Sequence, residues 1–242
     1  MPFLKVKSDK QQATSRNLVK TYHLSLITYH FKLKLGFSLI ELLIVISIFG
    51  ITASVITASF LNFERNQRLK NAALQLKNDL RLVQNNALSG NKGVVGGTCN
   101  PTSPNPAILL VGWYVILDAG LGSNDKYTIS RDCNVSGTEQ SFDTKTVLLP
   151  RGVTISAIKY GVFTKTSVNI LFQPLTQSAT FWNTAFTPPS GQFLNVNGDL
   201  DQSKLTGSIP QDSVTVELSS QQVPGVYKVI IQPSGETNES KP

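Results

Sequence analysis

A long uncharged apolar run close to the N-terminus constrains this chain more than any other feature. The run extends from Leu42 to Leu61 without a charged residue, and Glu41 stands directly before it. About 20 apolar residues are enough to cross a bilayer as a helix, whereas the apolar region of a cleaved secretory peptide is shorter. Hydrocarbon solvates a carboxylate poorly, so an acidic residue here indicates a function and requires a partner.

The residues around this glutamate form a motif. The stretch Gly36-Phe37-Ser38-Leu39-Ile40-Glu41 resembles the cleavage and assembly signal of type IV prepilins and type II secretion pseudopilins. The resemblance implies that a prepilin peptidase cuts between Gly36 and Phe37 and methylates the new N-terminus, which makes Phe37 an N-methylphenylalanine. It also implies that Glu41 neutralises the terminal amine of a neighbouring subunit.

The proposed partner of Glu41 also makes physical sense. A buried amine and a buried carboxylate in contact offset each other's loss of hydration. A lone subunit lacks this pair, so we expect the glutamate to favour assembly. A generic signal anchor that contains an incidental glutamate is the alternative interpretation of the apolar run.

Positive charge is concentrated before the motif. The chain has a net charge of +7, and residues 1–36 hold seven basic residues against Asp9 alone, so that segment carries +6 and the remainder +1. By the positive-inside rule we expect a single pass through the cytoplasmic (inner) membrane, with the N-terminus in the cytoplasm and the head outside. Residues 1–36 would be the removed leader. This leader is longer than most in the family, and whether its whole length is real stays open.

The sequence argues against catalysis. Both histidines, His23 and His30, lie in the leader, so the processed chain lacks the commonest general acid–base group and metal ligand. Cys99 and Cys133 are too few for a structural zinc site. We find no nucleophile elbow, phosphate-binding glycine loop or zinc-protease motif. We therefore predict a protein that is not an enzyme and needs no cofactor.

A single helix is predicted after the cleavage site. From residue 37 to about residue 88 there is no proline, and apolar residues recur beyond the membrane half at spacings of three and four, at Leu69, Ala73, Leu76, Leu80, Val83 and Ala87. Such a helix of about 50 residues would be roughly 75 Å long and end at Ser89-Gly90-Asn91. We expect residues 37–61 to be the transmembrane and assembly half and residues 62–89 the amphipathic half, packed on a head. A coiled-coil dimer is the alternative use of the stripe. Gly50 either permits close helix packing or marks a point that melts on assembly.

Short β-rich segments separated by turns follow from residue 90. Strands are predicted at residues 107–111, 113–117, 126–131, 145–149, 153–158, 168–172, 192–196, 214–218 and 226–231. Residues 90–236 would form a globular head and residues 237–242 a flexible tail. The predicted fold class is therefore α+β, with a long N-terminal helix packed on an antiparallel β-sheet head, like that of type IV pilins.

Short patterns in the head suggest a subgroup. Gly112-Trp113-Tyr114-Val115, residues 148–153 and residues 229–235 resemble the H-type minor pseudopilins (the GspH/FimT family). We expect a structural minor subunit of a type II secretion pseudopilus or a type IV pilus. Its partners would be the prepilin peptidase, other pilin or pseudopilin subunits and the inner-membrane assembly platform. A membrane-anchored β domain that does not polymerise is one alternative.

Four features of the head carry further hypotheses. Cys99 and Cys133 would form a disulfide outside the cytoplasm, or remain two thiols. Calcium could bind the oxygens of Asn195, Asn197, Asp199 and Asp201, although Asn-Gly is also a common hairpin turn.

A second alternative function is a competence-type pilin whose head binds DNA, through a basic cluster of Arg151, Lys159 and Lys165. The near-neutral charge of the processed chain argues against nucleic-acid binding. Phe181-Trp182, if exposed in a polar loop, would mark a partner surface.

Overall fold

The computed structural model describes residues 38–101, 107–188, 191–207, 211–221 and 223–241. The chain divides into two units after Ile48. The helix α1, Leu39–Leu88, begins in the first unit and continues in the second. The remainder of the second unit is built from ten strands among the described residues, numbered in chain order, and two short 3-10 helices, Thr184–Phe186 and Gln202–Lys204.

Both ends of α1 are capped by local hydrogen bonds. At the start, the backbone N–H of Glu41 donates to the carbonyl and hydroxyl oxygens of Ser38, at 3.0 and 3.3 Å. At the end, Gly90 has a φ of 62°, its N–H donates to the carbonyl of Ala87, and the N–H of Asn91 donates to that of Asn86. This pair of bonds is a Schellman motif, which satisfies the last carbonyls of a helix. The predicted helix end is confirmed.

The strands form two antiparallel sheets of five strands each. The first contains, in spatial order, β3 (Thr138–Leu148), β2 (Lys126–Val135), β1 (Ile108–Asp118), β6 (Ser167–Phe172) and β7 (Ala179–Trp182). The second contains β10 (Thr237–Ser240), β9 (Val223–Ile231), β8 (Val214–Ser220), β4 (Val153–Tyr160) and β5 (Phe163–Lys165). The predicted α+β class with an antiparallel head is confirmed.

The main core lies between α1 and the inner faces of both sheets. All six members of the predicted apolar stripe are buried, together with Ala72. They join side chains from every second position of the strands, such as Val115 and Leu117 of β1 and Val214, Val216 and Leu218 of β8. The stripe therefore packs on the chain's own head, as predicted.

Gly112 does not separate two strands, as the sequence suggested, but lies inside β1. The register of β1 against β2 shifts between Leu110 and Gly112, which marks a β-bulge. A Cβ atom at Gly112 would lie 2.5 Å from the carbonyl oxygen of Phe172. Glycine is needed here because β6 approaches too closely for any side chain, and it does not act as a turn.

Three other predictions about the head were wrong. Residues 192–196 do not form a strand, and only Leu194 makes an isolated bridge, to Leu200. Phe181-Trp182 is not an exposed loop: both residues lie in β7 and are buried. The tail is not free either, because Thr237–Ser240 pairs with β9 as β10.

A second, smaller core explains why Phe181-Trp182 is buried. On the outer face of the first sheet, Trp182 packs with Val111, Tyr114, Leu171 and Phe193. Phe193 lies in the segment that connects β7 of the first sheet to β8 of the second sheet. Its ring packs edge to face against the rings of Tyr114 and Trp182, and the ring centroids are 5.3 Å apart in each pair. The first sheet is thus covered on both faces, and the sequence pattern of β7 alone does not reveal this.

Candidate assembly helix and the surfaces of the head

The N-terminal half of α1 exposes an apolar surface. Every isoleucine, leucine, valine and phenylalanine from Leu39 to Phe63 is exposed. Among the described residues, α1 is the one helix long and apolar enough to cross a membrane. No part of its most apolar 18-residue segment is buried. Water disfavours such a surface, so this half of the helix requires lipid or other helices around it.

Glu41 lies in the first turn of this exposed segment. Its backbone is fixed by Ser38, and its side chain is exposed. The cleavage-site residues Gly36 and Phe37 lie outside the described residues, as does the basic segment before them. The structure therefore places Glu41 at the head of the apolar surface, where a partner can reach it.

The C-terminal half of α1 is held to the head by polar contacts as well as by the core. The Tyr127 hydroxyl donates to Asp79 Oδ2 at 2.5 Å. Gln84 Nε2 donates to the Gln177 carbonyl at 2.8 Å. Lys77 lies 3.9 Å from Glu239 of β10. These contacts, added to the buried stripe, join helix and sheets into one head.

Two acidic residues organise the outer face of the first sheet. The carboxylate of Glu139, in β3, accepts hydrogen bonds from the backbone N–H groups of Phe193 (2.7 Å) and Leu194 (2.6 Å). Beside it, Asp132 of β2 is fully buried. Burial, together with the neighbouring Glu139 carboxylate, raises the pKa of Asp132 to about 9. Asp132 is therefore neutral at pH 7. No local sequence pattern singles out either residue.

Arg131, next to Asp132, points to the opposite side of β2. Its guanidinium lies 2.8 Å from the Asp143 carboxylate and 5.6 Å from the ring centre of Trp113. Burial lowers the pKa of Arg131, and Asp143 opposes that shift. This arginine is used within the head and is not available to a partner.

The structure brings Cys99 and Cys133 together in a disulfide. Their Cα atoms are 6.0 Å apart, within the usual range for a bridge. Both cysteines are buried. The bridge ties the segment after α1 to β2, near the end of that strand.

The candidate calcium residues are engaged in local turns. Asn195 Oδ1 accepts from the N–H groups of Asn197 (2.9 Å) and Asp199 (3.1 Å). Asp201 Oδ1 accepts from the N–H of Ser203, and its Oδ2 lies 3.3 Å from Lys204 Nζ. In the part of the chain that the structure describes, no group of three or more His, Cys, Asp or Glu side chains is placed to hold a metal. The arrangement agrees with the hairpin-turn interpretation of Asn-Gly.

The structure does not bring the three basic residues of the DNA hypothesis together. Arg151 precedes β4 and Lys159 lies near its other end, which separates them by roughly 25 Å in an extended strand. Lys159 pairs with Glu217 at 2.7 Å. Lys165 pairs with Ile158, the residue before Lys159 in β4. Paired residues share a face of the sheet and successive residues point to opposite faces, so Lys159 and Lys165 lie on opposite faces.

Arg151 instead lies beside two arginines of α1. A cavity of about 310 Å³ is lined by Arg65, Arg68, Arg151, Gly152, Val153, Ser220 and Gln221. It lies where the helix meets the β3–β4 turn and the end of β8. The residues are far apart in sequence, so no local pattern could have grouped them.

Comparison with known proteins agrees with the motif. Residues 32–57 match the family model described as the prokaryotic N-terminal methylation motif. No curated protein and no solved structure matches the chain. The motif and the helix-plus-sheet fold support a type IV pilin-like or pseudopilin-like subunit, a structural class of protein rather than a catalytic one. The motif implies processing by a prepilin peptidase and assembly with other pilins.

Proposed function

We propose that this chain is a structural minor subunit of a type II secretion pseudopilus or a type IV pilus, assembled through α1. The observation that carries the proposal is the exposed apolar half of α1, with Glu41 at its start and the methylation motif across it. Exposing such an apolar surface to water is unfavourable, whereas a bundle of identical helices or a bilayer covers it.

We propose that the subunit is processed in the membrane first and assembled into a filament second. First, α1 anchors the precursor in the cytoplasmic membrane, with the basic leader inside and the head outside. The peptidase then cuts between Gly36 and Phe37 and methylates Phe37. In the second stage the assembly platform transfers the subunit into a filament, where Glu41 pairs with the terminal amine of a neighbour. The pair offsets the cost of burying either charge alone.

The head patterns that resemble the H-type minor pseudopilins support a minor position in the filament. Gly112-Trp113-Tyr114-Val115 lies in the central strand β1, and residues 229–235 include the end of β9. The disulfide between Cys99 and Cys133 makes this head suited to an oxidising location outside the cytoplasm.

Processing is the most direct test. The full chain is expressed with and without a prepilin peptidase, and the mass of the purified product is measured. We expect the loss of residues 1–36 and the gain of one methyl group on Phe37, only when the peptidase is present. A chain that keeps its leader in peptidase-positive cells would refute the proposal. Glu41→Ala is the matched variant, because it changes the proposed assembly residue and should leave cleavage intact.

A further inference from the structure

The base of the head contains a basic cavity that pilus assembly does not explain. Arg65 and Arg68 are one helical turn apart on α1, so they lie on the same face. Arg151 reaches the cavity from the turn Pro150–Val153, which is closed by a hydrogen bond of 3.0 Å between the ends of the turn. Among the described residues that line it, none is acidic.

The charge of this cavity is only partly compensated. Arg68 pairs with Glu64 at 2.5 Å, but both side chains are more than 40% exposed, and such surface pairs contribute little and rearrange easily. Within the described residues, neither Arg65 nor Arg151 forms an ion pair. Guanidinium groups present paired N–H donors that match the oxygens of a phosphate. The cavity therefore suits an anionic, phosphate-bearing group.

The position of the cavity selects the source of that phosphate. The uncharged run ends at Leu61, and Arg65 follows four residues later, a rise of about 6 Å along a helix. The headgroup region occupies roughly 5–8 Å on each side of the hydrocarbon core. When the apolar half of α1 spans a bilayer, Arg65 is therefore at headgroup depth. Arg68, about 10 Å beyond Leu61, lies just outside that region, but its side chain turns back toward the membrane half to meet Glu64. Arg151 lies in the same cavity.

We propose that Arg65, Arg68 and Arg151 bind the phosphate of an anionic phospholipid and so seat the head on the membrane before assembly. The proposal rests on the membrane anchoring in the proposed function. Phosphatidylglycerol is a suitable probe because its headgroup leaves the phosphate as the one net charge. Phosphatidylcholine has the same phosphate but is neutral overall, because its choline group carries a positive charge, and this charge repels the arginines.

Native mass spectrometry of the full chain in an uncharged detergent tests the site. Short-chain phosphatidylglycerol or phosphatidylcholine is added over a concentration series, and bound lipids are counted. We expect tighter binding of phosphatidylglycerol, weakened about five- to tenfold by Arg151→Gln or Arg65→Gln, since each interfacial basic residue contributes about 1 kcal/mol. Lys70→Gln is the matched control, because Lys70 is exposed on the same helix and is not among the cavity residues.

Arg151→Gln is the decisive variant, because Arg151 belongs to an exposed turn of the head and not to the helix that follows the membrane span. If Arg151→Gln and Lys70→Gln bind phosphatidylglycerol equally well, the cavity is not a lipid site. If glycerol 3-phosphate alone binds as tightly as the lipid, the site accepts free phosphates and the lipid assignment is wrong. If Arg151→Gln lowers only incorporation into filaments, the arginines contact an acidic group of a neighbouring subunit instead.

Failure of this inference can be distinguished from failure of the proposed function. A chain that is cleaved and methylated but shows no preference for phosphatidylglycerol overturns the lipid site alone. A chain that keeps its leader in peptidase-positive cells but binds phosphatidylglycerol through Arg151 supports the site and overturns the assembly role.

Discussion

The hydroxyl of Tyr127 donates a 2.5 Å hydrogen bond to the carboxylate of Asp79 and so joins the second strand of the head to the helix. Tyr127 is buried, and its ring packs in the main core beside the apolar stripe of α1. The bond fixes the helix at one position along the sheet, which the non-directional packing of leucine and alanine side chains does not do.

Removing this hydroxyl should destabilise the head. We expect Tyr127→Phe to lower the free energy of unfolding by about 1–3 kcal/mol, because the hydrogen bond from a buried tyrosine to a carboxyl group is lost and Asp79 loses this donor. Denaturant unfolding of the full chain in an uncharged detergent, followed by tryptophan fluorescence, measures this. Both tryptophans, Trp113 and Trp182, lie in the head. Tyr227→Phe, at a residue partly buried against the same core, is the control, and an equal loss there would contradict a specific role for the bond.

The same tyrosine should make the head sensitive to alkali. Burial raises the pKa of Tyr127 above its ordinary value of about 10, and the bond to Asp79 adds to the shift. Below about pH 10 the tyrosine is protonated in both states and the stabilisation is complete. At higher pH the unfolded chain releases the proton and the folded chain retains it, so the free energy of unfolding falls. We expect a shallower fall in Tyr127→Phe, measured in the same assay from about pH 8 to about pH 11. Part of the fall will remain, because burial also raises the pKa of Tyr114.

Asp132 should give a pH dependence at lower pH. Its pKa is about 9 in the folded head because of burial, against about 3.9 in an unfolded chain. Its contribution is therefore most favourable below about pH 4 and is lost progressively as the pH rises to about 9. Asp132→Asn removes this titration. We expect the variant to be more stable than the natural chain at pH 8, by at least about 1 kcal/mol, and the difference to shrink at pH 5. A difference that does not change with pH would show that Asp132 ionises normally.

The disulfide should contribute much of the stability of the head. The bridged cysteines are 34 residues apart, and the chain-entropy account gives roughly 3–4 kcal/mol for a loop of this size. We expect the Cys99→Ser, Cys133→Ser double variant to lose about that much in the unfolding assay. A reducing agent should destabilise the natural chain to the same extent and leave the double variant unchanged. Two reactive thiols in the unreduced natural chain, detected with a thiol reagent, would contradict the bridge.

The sequence predicts those elements of the fold that local periodicity determines. The six stripe residues of α1 are spaced so that a helix must place them on one face, and all six are buried. Six strands contain apolar or alternating segments whose local sequence alone indicates a strand, whichever strands they pair with. These are β1, β2, β4, β6, β8 and β9. Gly90 likewise indicates the helix end through its own backbone preference.

The elements that were missed depend on distant partners. Residues 193 and 194 look like part of a strand, but their N–H groups bind the side chain of Glu139 and not a neighbouring strand. Thr237–Ser240 has the polar composition of a free tail, yet it pairs with β9, and Glu239 approaches Lys77 of the helix. The arginine cavity is a similar case, because Arg151 meets Arg65 and Arg68 only through the tertiary fold. No spacing in the sequence encodes these contacts.

Glu41 can be recognised from the sequence alone, because a single carboxylate directly beside a long apolar run is energetically unfavourable in a membrane. We expect Glu41→Gln to be cleaved normally but to enter filaments at least about tenfold less efficiently, because the neighbour's terminal amine is then buried without a counter-charge. Glu64→Gln is a matched control, since it makes the same change on the same helix at an exposed surface pair with Arg68. The measurement is the ratio of filament-bound to membrane-bound subunit in cells that carry the complete assembly machinery. If Glu41→Gln and Glu64→Gln are incorporated equally, the glutamate does not act through charge pairing. If only Glu41→Gln fails and its cleavage is normal, the defect lies after processing, at the step where the helix leaves lipid for the filament.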